Sequence, residues 1–233
     1  MSARSNADST SFLEALRRTP VIAILRGLEP RLALRAAQAL RAGGITVIEV
    51  TTDSPGWPEA VSAIASTAGP DRWFRIGTGT VMSVQQAEQA FNAGATFLVS
   101  PIFATDVADF AREARIAYLP GALTPTEIQR AQASGATCIK VFPADTLGPD
   151  YIRRLLQPMP ELRLVPTGGV TVEMAPRYLE AGAVGVALGS SLVDVGGLRA
   201  NNDAATREAA ERLVKWLGRS IDVRKEERTD ANR

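Results

Sequence analysis

The chain has 233 residues, room for one large domain or two small ones, and is 45% hydrophobic and 22% charged, a composition that excludes disordered and fibrous classes. Basic and acidic residues number 26 and 25, a formal net charge of +1 that gives no electrostatic footprint for nucleic acid or an anionic membrane. With no histidine, histidine triads and histidine-held metals are excluded, and the lone Cys138 cannot form an intramolecular disulfide, which favours a reducing, cytoplasmic setting.

In chain order, MSARSNADST is polar and lacks a signal-peptide core, and no apolar run approaches the ~20 residues of a membrane span. Residues 1–9 read as a mobile segment, and the charged stretch 219–233 reads as a mobile tail. SFLEALRRTP (11–20) predicts a first helix. Eight β-rich runs follow: VIAIL from 21, TVIEVT from 46, FRIGTG from 74, TFLVS from 96, IAYLP from 116, TCIKVF from 137, LRLVPT from 162 and AVGVALG from 183. Between them lie Ala-rich segments such as 31–43, 83–94 and 124–135, with apolar residues at i, i+3 and i+4 and often a terminal glycine. The phrases AGGIT, AGATF, SGATC and AGAVG recur at helix-to-strand junctions, the mark of a repeated βα unit. Residues 203–217 predict a closing helix.

Eight strands apolar on both faces, each followed by a helix, fit an α/β (β/α)8 TIM barrel better than a doubly wound sheet. The expectation is one barrel domain over 10–218, with an extra N-terminal helix across its bottom and a C-terminal closing helix. Such barrels carry their chemistry at the C-terminal ends of the strands, which directs attention to the last residues of each run.

Lys140 lies in TCIKVFPA, on the sixth run, among apolar neighbours. Desolvation there disfavours the ammonium form, and a neutral amine can attack a carbonyl to form a Schiff base. A lysine that snorkels from the strand end, or pairs with a carboxylate, fits the same pattern. Glu49, inside VIEVTT on the second run, is the best candidate for proton transfer in a chain without histidine; a structural ion pair with Arg26 or Lys140 is the other reading. Thr167-Gly168-Gly169 and Gly189-Ser190-Ser191 follow runs seven and eight, the frequent phosphate site of this fold, although tight turns also call for glycine there. Thr80, closing GTGT, offers a hydroxyl to a substrate or simply ends a strand. Arg26 ends the first run and can grip a carboxylate with two parallel hydrogen bonds or pair with Glu49. Cys138 shares a strand face with Lys140 and reads as a small buried residue.

Taken in order, IAILRG, the glutamate of IEVTT, GTGTV, Ser100-Pro101, LPGALTPTE, the lysine of IKVFPA, PTGGV and LGSSLV resemble the 2-keto-3-deoxy-6-phosphogluconate (KDPG) and 4-hydroxy-2-oxoglutarate aldolases, from about residue 12 to 216. The resemblance implies a homotrimeric, metal-independent class I aldolase with no cofactor. Such an enzyme splits KDPG into pyruvate and glyceraldehyde 3-phosphate in the Entner–Doudoroff pathway. It assigns the Schiff base to Lys140 and general acid/base work to Glu49, the pyruvyl contacts to Thr80 and Pro101, the sugar hydroxyls to Thr167, and the phosphate to Gly168, Gly169, Gly189 and Ser190. One departure stands out. Many gluconate-type members carry an arginine four residues after the glutamate to hold the substrate carboxylate, and this chain has Asp53 there. Arg26 offers a replacement. ILRG and Ser54-Pro55 with Trp57 resemble 6-phosphogalactonate relatives, whereas PTGGV resembles the gluconate type, so the C4 preference stays open. A 2-keto-3-deoxy-6-phosphogalactonate aldolase, a non-catalytic sugar-phosphate-binding barrel and a barrel isomerase or synthase are the alternatives.

Overall fold

The computed structural model describes residues 9–69 and 71–230, with side chains to residue 218. In chain order its elements are α1 (Ser9–Arg18), β1 (Val21–Leu25), α2 (Pro30–Ala42), β2 (Val47–Thr51), α3 (Trp57–Ser66), β3 (Arg75–Gly79), α4 (Val84–Asn92), β4 (Phe97–Val99), α5 (Thr105–Ala114), β5 (Ala117–Leu119), β6 (Gly121–Ala122), α6 (Pro125–Ala133), β7 (Ile139–Val141), α7 (Gly148–Leu156), β8 (Leu164–Pro166), α8 (Ala175–Glu180), β9 (Val186–Leu188), α9 (Val195–Arg199) and α10 (Ala204–Asp230). All eight β-rich runs of the sequence hold a strand. The fifth ends at Pro120, which has no N–H to donate but accepts from Lys140 N at 2.9 Å, and the two-residue β6 follows just beyond the run.

The strands are parallel and form an α/β fold of two sheets, one in the order β5-β4-β3-β2-β1-β9 and one in the order β6-β7-β8. The chain itself links them across Pro120. On the other side, Thr167 bridges to Ala187 and Val184 N donates to Leu164 O at 3.0 Å.

Alternation along each strand sorts the core into two layers. On β1, Val21, Ala23 and Leu25 join the large cluster shared with the helices, while Ile22 and Ile24 face inward. The inner cluster is small and apolar, with Val47, Phe97, Val99, Leu119, Cys138 and Val165 at its centre. Helix α1 closes one end of it. Phe12 and Leu16 are buried there, Phe12 with its ring centroid 5.0 Å from that of Phe97. Polar contacts fix which end this is: Ser9 Oγ lies 2.8 Å from Thr137 Oγ1, and Arg75, the first residue of β3, donates to Ser11 O at 3.2 Å. The N-terminal ends of the strands are therefore covered by α1, and the inner side chains reach solvent only at the C-terminal ends.

Helix boundaries follow local chemistry. Thr124 and Glu127 form a reciprocal capping box at α6, and Ser83 accepts from Gln86 N to start α4. The recurring glycine phrase places Gly44, Gly94, Gly135 and Gly182 in the left-handed region, and at the corresponding position after α5 Arg115 adopts it with φ 54°. The five-residue α9, capped by Asp194 accepting from Gly197 N, was not foreseen in the sequence. Helix α10 continues through Asp230, so helical backbone covers most of the segment that composition sets apart as a tail from 219. Residues 1–8 and 231–233 of the expected ends lie outside the described residues. Among the described residues no helix is long and apolar enough to cross a membrane.

Because Phe12 closes the inner layer, Phe12→Ala is expected to destabilise the fold by about 3–5 kcal/mol. A thermal melt should register this as a drop in Tm on the order of 10 °C.

Candidate active site

Lys140 is the middle residue of β7. Its neighbours Ile139 and Val141 belong to the outer layer, so the lysine points inward, on the same face as Cys138, and is only 4% exposed. Glu49 is the middle residue of β2, between outward-facing Ile48 and Val50, and is 1% exposed. It pairs in register with Ile24 of β1 and Gly77 of β3. Both charges thus rise into the inner layer near its open end.

Room for them comes from β3. A Cβ on Gly79 would lie 1.6 Å from Glu49 Oε1, and one on Gly77 would lie 2.6 Å from the Phe97 ring. Any side chain at these two positions would occupy the space of the carboxylate or of the aromatic floor beneath it. The GTG sequence, which reads as a strand-end turn, is there to hollow the wall. The sequence could not disclose this, because the need arises from residues on neighbouring strands.

Burial controls the proton affinities. Glu49 is raised above the ordinary carboxylate value, mainly by desolvation, with Lys140 and then Arg26 pulling it back and Asp53 pushing it up. Its Oε1 is buried without a hydrogen-bond partner. Lys140 is lowered below the ordinary lysine value by desolvation first; the Glu49 charge opposes this and the Arg26 charge adds to it. Its Nζ sits 5.1 Å from the Phe142 ring centroid. Burial thus favours the neutral amine at Lys140 and the protonated carboxyl at Glu49, and groups biased in these directions can add to a carbonyl and move the protons that addition requires.

A cavity of about 590 Å³ opens over Lys140. Arg26, Lys140, Thr167, Gly168, Gly169, Gly189 and Ser190 all line it, so seven of the ten residues singled out from sequence share one wall. Glu49, Thr80 and Pro101 are not among its lining residues. Glu49 lies against Gly79. Thr80 stands at the mouth, where its Oγ1 accepts from Arg26 Nη2 at 3.1 Å, and its backbone is left-handed at φ 61°. Pro101 is packed behind Gly121, the register partner of Lys140; a Cβ on Gly121 would meet the Pro101 carbonyl carbon at 2.2 Å. Arg26 makes its ion pair with Asp53 and not with Glu49.

Two cavity residues, Phe142 and Thr171, escaped the sequence reading. Phe142 lines the cavity over Lys140 and is 39% exposed; its position two residues after the lysine on the same run was the available signal. Thr171 extends the wall beside the glycine loops, next to Ser191 of the expected Gly189-Ser190-Ser191 loop. Gly168 and Gly169 have φ of 88° and 66° and are crowded by Phe142 and Asp145, so the turn explanation applies to them. Gly189 differs: the nearest atoms to an added Cβ are 3.9 Å away, in Ile24. Among the described residues no three His, Cys, Asp or Glu side chains gather as a cation site.

Two outcomes are expected. Gly79→Ala should displace the Glu49 carboxylate and lower turnover by at least about 100-fold, as misplacement of about 1 Å does, while the circular dichroism spectrum stays that of the wild type. The second concerns pH. The folded-state pKa of Glu49 lies above its unfolded value, so its burial costs stability once pH rises past the ordinary carboxylate range. That of Lys140 lies below its unfolded value, so its burial costs stability once pH falls beneath the ordinary lysine range. Both costs operate at pH 7, and the double variant Lys140→Met/Glu49→Gln should unfold at higher denaturant than wild type there, by roughly 1–4 kcal/mol.

Comparison with known proteins places this arrangement. The family model "Aldolase: KDPG and KHG aldolase" matches residues 13–208. The 2-dehydro-3-deoxy-6-phosphogalactonate aldolase of Escherichia coli strain K12 is 34% identical over 178 residues, covering 76% of this chain and 86% of its own. The 2-dehydro-3-deoxy-phosphogluconate aldolase of Treponema pallidum is 32% identical over 209 residues, covering 89% and 98%. The crystal structure of the KDPG aldolase of Legionella pneumophila, with pyruvate captured at low pH as a covalent carbinolamine intermediate, superposes with a TM-score of 0.78 at 26% identity, covering 87% of this chain and 97% of that one. By sequence and by fold, this chain belongs to the KDPG and KHG aldolase family.

Proposed function

We propose that this aldolase cleaves 2-keto-3-deoxy-6-phosphogluconate to pyruvate and glyceraldehyde 3-phosphate through a Schiff base on Lys140. The observation that carries the reading is the burial of Lys140, which lines the cavity, and of Glu49, which faces the same inner layer, with opposite shifts in proton affinity. The neutral Lys140 amine adds to the C2 ketone, and Glu49 protonates the departing hydroxyl as the carbinolamine loses water. The resulting iminium accepts the electron pair of the C3–C4 bond. As that bond breaks, the C4 hydroxyl gives its proton to the Glu49 carboxylate and leaves as the aldehyde. The enamine then takes a proton at C3, and water returns to release pyruvate and restore the amine.

The cavity wall supports a direction for the substrate. Arg26 would hold the carboxylate end, near Thr80 at the mouth, with Pro101 behind the pyruvyl carbon. Thr167 would meet the sugar hydroxyls. Gly168, Gly169, Gly189 and Ser190 would receive the phosphate, and Gly189, which neither positive φ nor crowding explains, fits a loop that keeps its backbone open to an anion. We extend the reading to a closed (β/α)8 barrel spanning residues 10–218, supported by the Thr167–Ala187 bridge and the run of strand across Pro120. Metal independence is supported by the lack of histidine, and the homotrimeric, cytoplasmic form by the family resemblance.

A galactonate-type substrate is the second reading, favoured by the 34% identity to a relative named for that sugar acid and by Asp53 in place of the gluconate-type arginine. Two assays separate the outcomes. Pyruvate with borohydride should leave a reduced pyruvyl adduct on Lys140, read by intact mass and lost in Lys140→Ala; an unmodified wild type, or an adduct that persists in the variant, defeats the Schiff-base reading. Pyruvate release from the two C4 epimers, measured side by side, then assigns the sugar acid.

A further inference from the structure

We propose that Asp53 is a positioning residue, which fixes the Arg26 guanidinium against the Thr80 hydroxyl so that its other N–H groups face the cavity and receive the keto-acid carboxylate. The inference rests on the Schiff-base reading above. A guanidinium carries five N–H donors in one plane. Asp53 accepts one from Nη1 and Thr80 one from Nη2 at 3.1 Å, while Arg26 also lines the cavity with Lys140. The planar group is thus held at two points, with the rest of its donors available.

The surroundings hold Asp53 in place as well. Ser54 Oγ accepts from the N–H of Gly27, next to Arg26, at 2.9 Å, and lies 3.1 Å from Thr51 Oγ1. Ser54 N donates to Thr51 O at 3.0 Å. The loop after β2 is therefore stitched to the loop after β1, and Asp53 and Arg26 ride on adjoining, braced segments. Thr80 is braced too. Its left-handed backbone is an outlier for a β-branched residue, and Thr52 Oγ1 holds its carbonyl at 2.8 Å while Thr52 N holds Gly79 O at 2.9 Å.

Stability does not account for this arrangement. The Arg26 and Asp53 side chains are 53% and 47% exposed, and ion pairs at that exposure contribute little to folding. Positioning does account for it, since an arginine fixed before the ligand arrives loses less conformational freedom on binding. The aspartate at the place where gluconate-type relatives carry arginine then keeps the same subsite at work by steering a different arginine into it.

The test uses borohydride trapping on the full chain with two ketones of similar size, pyruvate and hydroxyacetone, the second lacking the carboxylate. Asp53→Ala should raise the half-saturating pyruvate concentration about tenfold and leave that for hydroxyacetone within twofold, which also shows that the variant folds. Asp53→Asn, which retains an acceptor oxygen for Nη1, should recover part of the loss. Arg26→Ala should match the alanine variant on pyruvate, and Arg26→Ala/Asp53→Ala should be no worse than Arg26→Ala, since Asp53 acts through the arginine. Equal losses on both ketones, additive losses in the double variant, or unchanged or tighter pyruvate capture by Asp53→Ala would overturn the inference while leaving the Schiff base intact. A wild type that forms no adduct with pyruvate removes the Schiff-base reading, and this inference with it.

Discussion

Two ionisable side chains of opposite charge type, Lys140 and Glu49, stand 4% and 1% exposed beside an apolar inner cluster. Removing each from water costs several kcal/mol, and their mutual attraction offsets only part of that. The directions of their shifts record the balance, because desolvation leads in both cases and the partner charge comes second. The rest of the molecule has to supply the difference. It does so with a closed floor of Phe12, Leu16 and Phe97, and with an outer layer of helices over strands that are buried on both faces. The glycines of β3 then leave the carboxylate a space that any other residue would fill.

The same inner face shows how reactivity is confined to one atom. Cys138 lies one inward position deeper than Lys140, and its thiol is pushed up to about 12 by burial, so it stays protonated and inert. Desolvation acts on both residues with opposite chemical results. For a thiol the charged form is the nucleophile and burial suppresses it. For an amine the neutral form is the nucleophile and burial favours it.

How legible this was in the sequence depended on where the reason for each residue lies. The strands were readable because burial on both faces writes a continuous apolar run, and a charge inside such a run, as at Lys140 and Glu49, is visible without a structure. The break at Pro120 and the short α9 were not, since each is a local adjustment within a segment whose type was already clear. The role of Gly77 and Gly79 was hidden for a different reason: what they accommodate is 20 and 30 residues away in sequence and adjacent only across the sheet. The partner of Arg26 was missed on similar grounds. Glu49 and Asp53 both stand near the end of β2, but strand alternation sends the first inward, and the turn that follows carries the second out to the mouth.

The result is two levels of ionisable side chains with different physics. At the mouth, Arg26 and Asp53 remain in contact with water, so their attraction is screened, and what the pair controls is the direction of a guanidinium. Below, Lys140 and Glu49 are shielded, and what that pair controls is which atom holds a proton. Arg26 connects the levels: its charge reaches both buried groups, lowering the proton affinity of each, while Asp53 counters it at Glu49. Supplying the aspartate with the arginine offsets only part of that effect, because the Asp53 charge acts on Glu49 in the opposite sense and more weakly, so what the mouth pair chiefly controls remains the direction of the guanidinium.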